Sequence, residues 1–169
     1  IVYCMKYELV KIEELCGDKA TIYSIYVGDD HNTLFDNFVE KYEISHKIEI
    51  DYITSTLEII AKEQGYREKF FKQDEGFLFS QIEALYDKPK SNLRLYCINL
   101  GKTILILGDG GVKPKTIRSL QESKELTEKN NFLRKVAQDI ETKMKNKEMY
   151  YSSDDMKLEG NLIFGEENE

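Results

Sequence analysis

The 169-residue chain has no tryptophan, two prolines, two histidines and three cysteines, and each scarcity closes off a class of function. Cys4, Cys16 and Cys97 are an odd number without CxxC spacing, which argues against a disulfide framework or a zinc ribbon. They read as small core residues in a reducing compartment. His31 and His46 stand 15 residues apart with no cysteine or further histidine at ligand spacing, so no histidine-based metal site is expected. Neither histidine is spaced for a Ser/His or Cys/His pair, and no GxSxG elbow occurs. No run approaches the ~18 apolar residues of a membrane helix, and the first residues lack the basic-then-apolar layout of a signal peptide. A soluble cytoplasmic protein without a membrane partner is expected, with Met5 a candidate start.

What is abundant is charge. The net charge is −7, but it is segregated: −8 over residues 1–84, +7 over 85–147 and −6 over 148–169. A basic middle between acidic flanks fits a polyanion-facing surface with shielding segments. Solvated helix faces produce the same pattern.

Hydrophobic periodicity divides the chain into elements. "YELVKIEEL" and "KATIYSIYV" flank "CGDK" and predict a β-hairpin over residues 1–30, turning at Gly17-Asp18. A helix with Leu34, Phe35, Phe38, Val39 and Tyr42 on one stripe follows, capped by Asn32 or Thr33. A second helix carries Ile48, Ile53, Leu57, Ile60 and Ala61, with Ser45 as its expected cap and Gly65 just past its end; the pair spans 33–64. Tyr66 to Gly76 has no clear period. Then "FLFSQIEALY", "LRLYCINL" and "TILILG" predict an antiparallel meander, turning through "DKPKSN" with Pro89 and through Gly101-Lys102. Thr103 to Leu107 is apolar on both faces and should be a central strand. Leu126 to Met144 forms a long amphipathic helix, with Lys143, Lys145 and Lys147 at its C-terminal end. The acidic tail, 148–169, holds one further short strand at Asn161 to Phe164. The expected fold is a single α+β domain, 1–169.

Three readings compete for "NLRLYCINLGKTILILGDGGVKPK": a nucleotide cradle, an RNA-cleaving site, or only a tight turn after a buried strand. As a phosphate cradle, "GDGG" lacks the Gly-Lys-Ser/Thr that opens a P-loop helix, and Pro114 pushes Lys113 to extended geometry. A nucleotide-binding module is therefore the weaker alternative, and the glycines read better as a bend away from a crowded strand. The acidic pairs Asp154-Asp155 and Glu13-Glu14 are adjacent rather than spaced for one face, and read as solvated turns. The basic set remains: Lys90, Arg94, Lys102, Lys113, Lys115 and Arg118, with Tyr96 in the strand of Arg94. Strand alternation puts Arg94 and Tyr96 on one face and Leu93, Leu95 and Cys97 on the other. A concave basic patch with an aromatic suits phosphates and a stacked base. Guanidinium and ammonium groups can stabilise an anionic transition state without histidine. Ordinary surface charges beside a hairpin are the other reading of the same residues.

An arginine in a strand, "LRLYCI", the turn "LGK", the apolar strand "TILILG", the lysine-containing "GGVKPKT" and a long helix resemble the C-terminal half of RelE/ParE-superfamily toxins, the HigB-like branch above all. The resemblance covers roughly residues 67–145. It implies a RelE-like core, to which the N-terminal hairpin would be an addition. In that family a small fold with an antiparallel sheet enters the ribosomal A site and cuts mRNA, or in the ParE branch poisons gyrase, and a cognate antitoxin covers the toxin. Carried onto this chain, Arg94 matches the strand arginine, and Lys113 and Lys115 match the lysines after the next strand.

The expectation is thus a toxin-antitoxin-type protein engaging RNA or the ribosome, with mRNA endoribonuclease activity, Arg94, Lys113 and Lys115 as catalytic groups, and Lys90, Tyr96, Lys102 and Arg118 as RNA-binding groups. Its implied partners are mRNA or the ribosome and a helix-turn-helix antitoxin. No metal or organic cofactor is implied. A non-catalytic protein-interaction module on the same fold is the alternative.

Overall fold

A computed structural model describes residues 5–72, 82–88, 90, 92–113 and 124–165. Among these, three α-helices accompany a mixed, mostly antiparallel sheet.

β1 (Tyr7–Lys11) and β2 (Thr21–Val27) form the expected hairpin, pairing from Tyr7–Val27 to Lys11–Tyr23. Its connection is not a tight Gly17-Asp18 turn. A 3-10 turn at Glu13–Leu15 intervenes, and a Cβ on Gly17 would lie 2.4 Å from the Ala61 carbonyl oxygen. Close packing on the second helix, rather than turn geometry, is what that glycine provides.

α1 (Leu34–Tyr42) starts at Thr33, whose hydroxyl accepts from Asp36 N while the Asp36 carboxylate accepts from Thr33 N. This capping box satisfies two otherwise orphaned donors. α2 (Lys47–Ile59) runs on through a π-type turn at Ile60–Gln64 to Gly65, at φ 73°. Ser45 does not cap it. The preceding residue is His46, with no side-chain cap bond, and Ser45 Oγ instead meets His46 Nδ1 at 2.8 Å. The two helices follow so closely, with His46 N on Tyr42 O and Ile50 N on His46 O, that backbone groups take the cap's place.

The meander follows as β3 (Phe71–Lys72), β4 (Ile82–Tyr86), β5 (Leu93–Leu100) and β6 (Ile104–Val112). Pro89 and residues 73–81 lie outside the described residues. In the three-residue connection between Leu100 and Ile104, Gly101 and Lys102 both have positive φ, 63° and 67°, and Asn99 Oδ1 accepts from Lys102 N.

The sheet order is β3-β4-β5-β6-β2-β1-β9, in which β9 (Ile163–Phe164) returns from the tail to the outer edge of β1. The expected tail strand is thus present but shorter than Asn161 to Phe164. β7 (Met149–Tyr151) and β8 (Leu158–Gly160) form a separate hairpin. β6 is central, as its doubly apolar pattern predicted. Its other neighbour is β2, joined in parallel from Thr21–Ile104 to Tyr23–Ile106. The N-terminal hairpin is therefore part of the main sheet. The crossover through α1 and α2 brings β6 alongside β2 in the same direction, so the sheet is mixed.

α3 (Lys124–Lys145) buries the predicted stripe of Leu126, Leu133, Val136 and Ile140. Helices cover both sheet faces. α1 and α2 pack on Ile22, Leu95, Cys97, Leu105 and Leu107; α3 packs on Tyr23, Ile25, Tyr96, Ile98 and Ile106.

The "GDGG" run does not bend the chain away. Gly108, Gly110 and Gly111 continue β6, and none has a positive φ. Their role is steric. A Cβ on Gly110 would stand 1.8 Å from the Arg94 carbonyl oxygen, on Gly108 3.0 Å from Leu133 Cδ1 and on Gly111 2.9 Å from Leu126 Cδ2. The register shift opposite, between Leu95 and Cys97, presses β5 against Gly110, while the other two glycines let α3 sit close to the sheet.

Candidate functional site

Alternation along β5 puts Arg94 and Tyr96 on one face, as read from the sequence, but that face is not open. α3 lies over it, and each of the two residues is 1% exposed. Arg94 Nη1 donates to Leu93 O at 3.1 Å, and its guanidinium carbon lies 5.6 Å from the centre of the Tyr86 ring. A side chain so enclosed cannot meet an RNA phosphate in this conformation, and Tyr96 cannot stack on a base. The expected polar face is core because the apolar stripe of α3 needs cover, and the glycines of β6 let it reach the sheet. Ile98 and Leu100, which continue the face of Arg94 and Tyr96, are the sequence signal that marked it as interior.

The remaining basic residues divide between two ends of the sheet. Lys113 leaves β6 with its N–H on Asn92 O at 2.7 Å, and exposed Lys90 precedes Asn92 in the β4–β5 connection. Lys102 occupies the β5–β6 turn, at the opposite end of the nine-residue β6 and so roughly 25 Å or more away by strand rise. Its ammonium lies 5.8 Å from the centre of the Tyr66 ring. The structure therefore groups Lys90 with Lys113 and separates both from Lys102. Lys115 and Arg118 lie outside the described residues.

The Lys113 end also exposes apolar side chains. Ile44 is 90% exposed, Ile48 81% and Val112 45%. The α1–α2 corner is fixed beside the exit of β6, because Asn92 Nδ2 donates to Glu49 Oε1 at 2.9 Å and Tyr42 Oη lies over Gly111. The Asn92 bond holds the Glu49 carboxyl below its usual range.

Two features escaped sequence reasoning because their residues come from separate elements. One is a cleft of about 380 Å³ between β2, β6, α1 and α3, with Val27, Leu34, Gly108, Phe132 and Leu133 along its walls and Asp30, Asp109, Glu128 and Lys129 at its polar side. The Lys129 ammonium donates to Gly110 O at 2.6 Å and Glu125 Oε1 at 3.0 Å, and stands 3.5 Å from Asp109. The other is half-buried Glu83 on β4, which accepts from Tyr66 Oη at 2.6 Å. Burial pushes its carboxyl pKa up, against the lowering by that hydrogen bond.

Among the described residues no group of three or more His, Cys, Asp or Glu is placed to hold a metal ion, and no helix is long and apolar enough to cross a membrane. Compared with family models, curated proteins and solved structures, the chain matches none.

Proposed function

We propose that this chain is a non-catalytic interaction module on a RelE/HigB-like scaffold, engaging a protein partner at the end of the sheet where β6 emerges. The observation that carries this reading is the burial of Arg94 and Tyr96: the residues that RNA cleavage would need serve as core. A buried guanidinium stacked on Tyr86 contributes to packing and offers no charge to a polyanion. Ile44, in the α1–α2 turn, and Ile48, in the first turn of α2, are both largely exposed and supply the apolar centre that protein interfaces favour, with Val112, Lys90 and Lys113 at the same end.

A second reading, the RNA-engaging toxin, is favoured by the chain order: a helix pair, an arginine strand, an apolar strand leaving through Lys113, then a long helix. It needs the buried Arg94 side chain to be uncovered before it can act.

Expression in a bacterial host separates the two. The interaction-module reading expects unaltered growth and intact transcripts. Growth arrest with mRNA cleavage, lost in Arg94→Ala, would overturn it in favour of the toxin. Salt-dependent RNA binding lost in Lys113→Ala would place RNA at the Lys113 end even without cleavage.

A further inference from the structure

We propose that the cleft between β2, β6, α1 and α3 is a binding site for a small organic cation, a positively charged nitrogen on an apolar body.

The cleft has a structural origin. β2 and β6 pair in parallel only as far as Tyr23–Ile106. Beyond that rung they part, and Ser24 holds the fork: its hydroxyl donates to Leu107 O at 2.8 Å and accepts from Phe35 N at 3.2 Å. The first turn of α1 is thereby fixed beside the fork, with Leu34 on the wall. Crevices of this kind, beyond the carboxyl ends of parallel strands, are where open sheets bind ligands. The volume of about 380 Å³ suits a small molecule, since such sites run from ~300 to ~1,000 Å³.

The lining selects the chemistry. Val27, Leu34, Phe132 and Leu133 form an apolar floor, and Gly108 keeps it open: a Cβ there would meet both Leu133 methyls at 3.0–3.1 Å. Three carboxylates face one ammonium. Lys129 is committed to Gly110 O, Glu125 and Asp109, which leaves Asp30 and Glu128 to set the sign of the field. Asp30 is held in place by Asn32 N at 3.1 Å and Asn37 Nδ2 at 3.0 Å, bonds that keep its carboxyl ionised below the usual range. The half-buried Phe132 lines the cleft, and an aromatic ring there favours a cation over a neutral group. An anionic ligand would meet repulsion, and a neutral apolar one would leave the acidic rim unanswered.

Three probes of one shape test this on the full chain by NMR titration: phenethylamine, 2-phenylethanol and phenylacetate. Saturable shifts by phenethylamine at Val27, Leu34, Gly108 and Phe132 are expected, with the alcohol at least about 5-fold weaker and phenylacetate inactive. Glu128→Gln, at an exposed position on the rim of the cleft, should weaken the amine roughly 3-fold and leave the alcohol unchanged. Asp30→Asn should act in the same direction. Equal binding of the three probes would overturn the proposal. So would shifts that map away from the cleft, or no saturable shift up to roughly 10 mM amine, beyond the weakest range useful for so small a ligand. None of these outcomes bears on the growth and transcript assay of the interaction-module reading.

Discussion

The guanidinium of Arg94 lies over the ring of Tyr86, its directly paired neighbour on β4, at 5.6 Å from the ring centre, and both Arg94 and Tyr96 are buried. This is a structural cation–π contact within a core. Arg94→Ala removes the stack and leaves a void, and should cost about 3 kcal/mol. Arg94→Lys keeps the charge but loses the planar stack and should also destabilise. Urea unfolding of both variants checks this, and an unchanged midpoint in Arg94→Ala would contradict a structural role.

Two glycines a few residues apart should respond differently to alanine. At Gly110 the new Cβ would stand 1.8 Å from a backbone oxygen, so Gly110→Ala must part β5 from β6 and is expected to cost more than ~3 kcal/mol or to abolish folding. At Gly101 there is open space but φ is 63°, and Gly101→Ala should cost only about 1 kcal/mol. Thermal unfolding followed by circular dichroism distinguishes them.

The Thr33–Asp36 capping box ties the start of α1 to the fork at Ser24. Thr33→Ala should lower stability by about 1 kcal/mol, with Thr33→Ser close to wild type. Chemical denaturation of the pair checks the hydroxyl specifically.

Two glutamates should give pH effects of opposite sign. Glu125 is held down to about 2 by hydrogen bonds from Lys129 and Lys41. Its contribution is present above the ordinary glutamate value of 4.5 and is lost as pH falls from there towards about 2. Because its side chain is 61% exposed, solvent screening keeps the effect below ~1 kcal/mol. Glu83 is shifted upward by burial, so its contribution is intact below the ordinary value and lost as pH rises through its elevated one. Glu83→Gln, which can still accept from Tyr66, should therefore gain on wild type as pH rises above the ordinary glutamate value of 4.5. Urea midpoints of wild type, Glu125→Gln and Glu83→Gln across pH 2–8 provide the check.

Elements whose signal is local were legible in the sequence. The stripe from Leu126 to Met144 marked α3, Asn32 or Thr33 marked the start of α1, Gly101-Lys102 marked a tight hairpin, and a run apolar on both faces marked β6 as central. The Arg94 face was misread because Arg94 and Tyr96 were weighed without Ile98 and Leu100, which continue the same side of the strand. "GDGG" was misread for a related reason. Glycine signals either unusual dihedral angles or close approach, and only the positions of Arg94 O, Leu133 and Leu126 show that approach is the cause here. The cleft was invisible in sequence, since its lining comes from four elements.

The sequence by itself determined the helices, the β1–β2 and β5–β6 hairpins and the alternation that assigns each strand residue to a face, because these depend on periods of 3.6 and 2 and on neighbours a few residues away. Only the tertiary structure decided which face meets water. That choice depends on where α3 buries its apolar stripe, and on the parallel pairing of β2 with β6, whose parting beyond Tyr23 and Ile106 opens the cleft. Burial and long-range pairing belong to the assembled chain, and they placed Arg94 in the interior rather than on an open face.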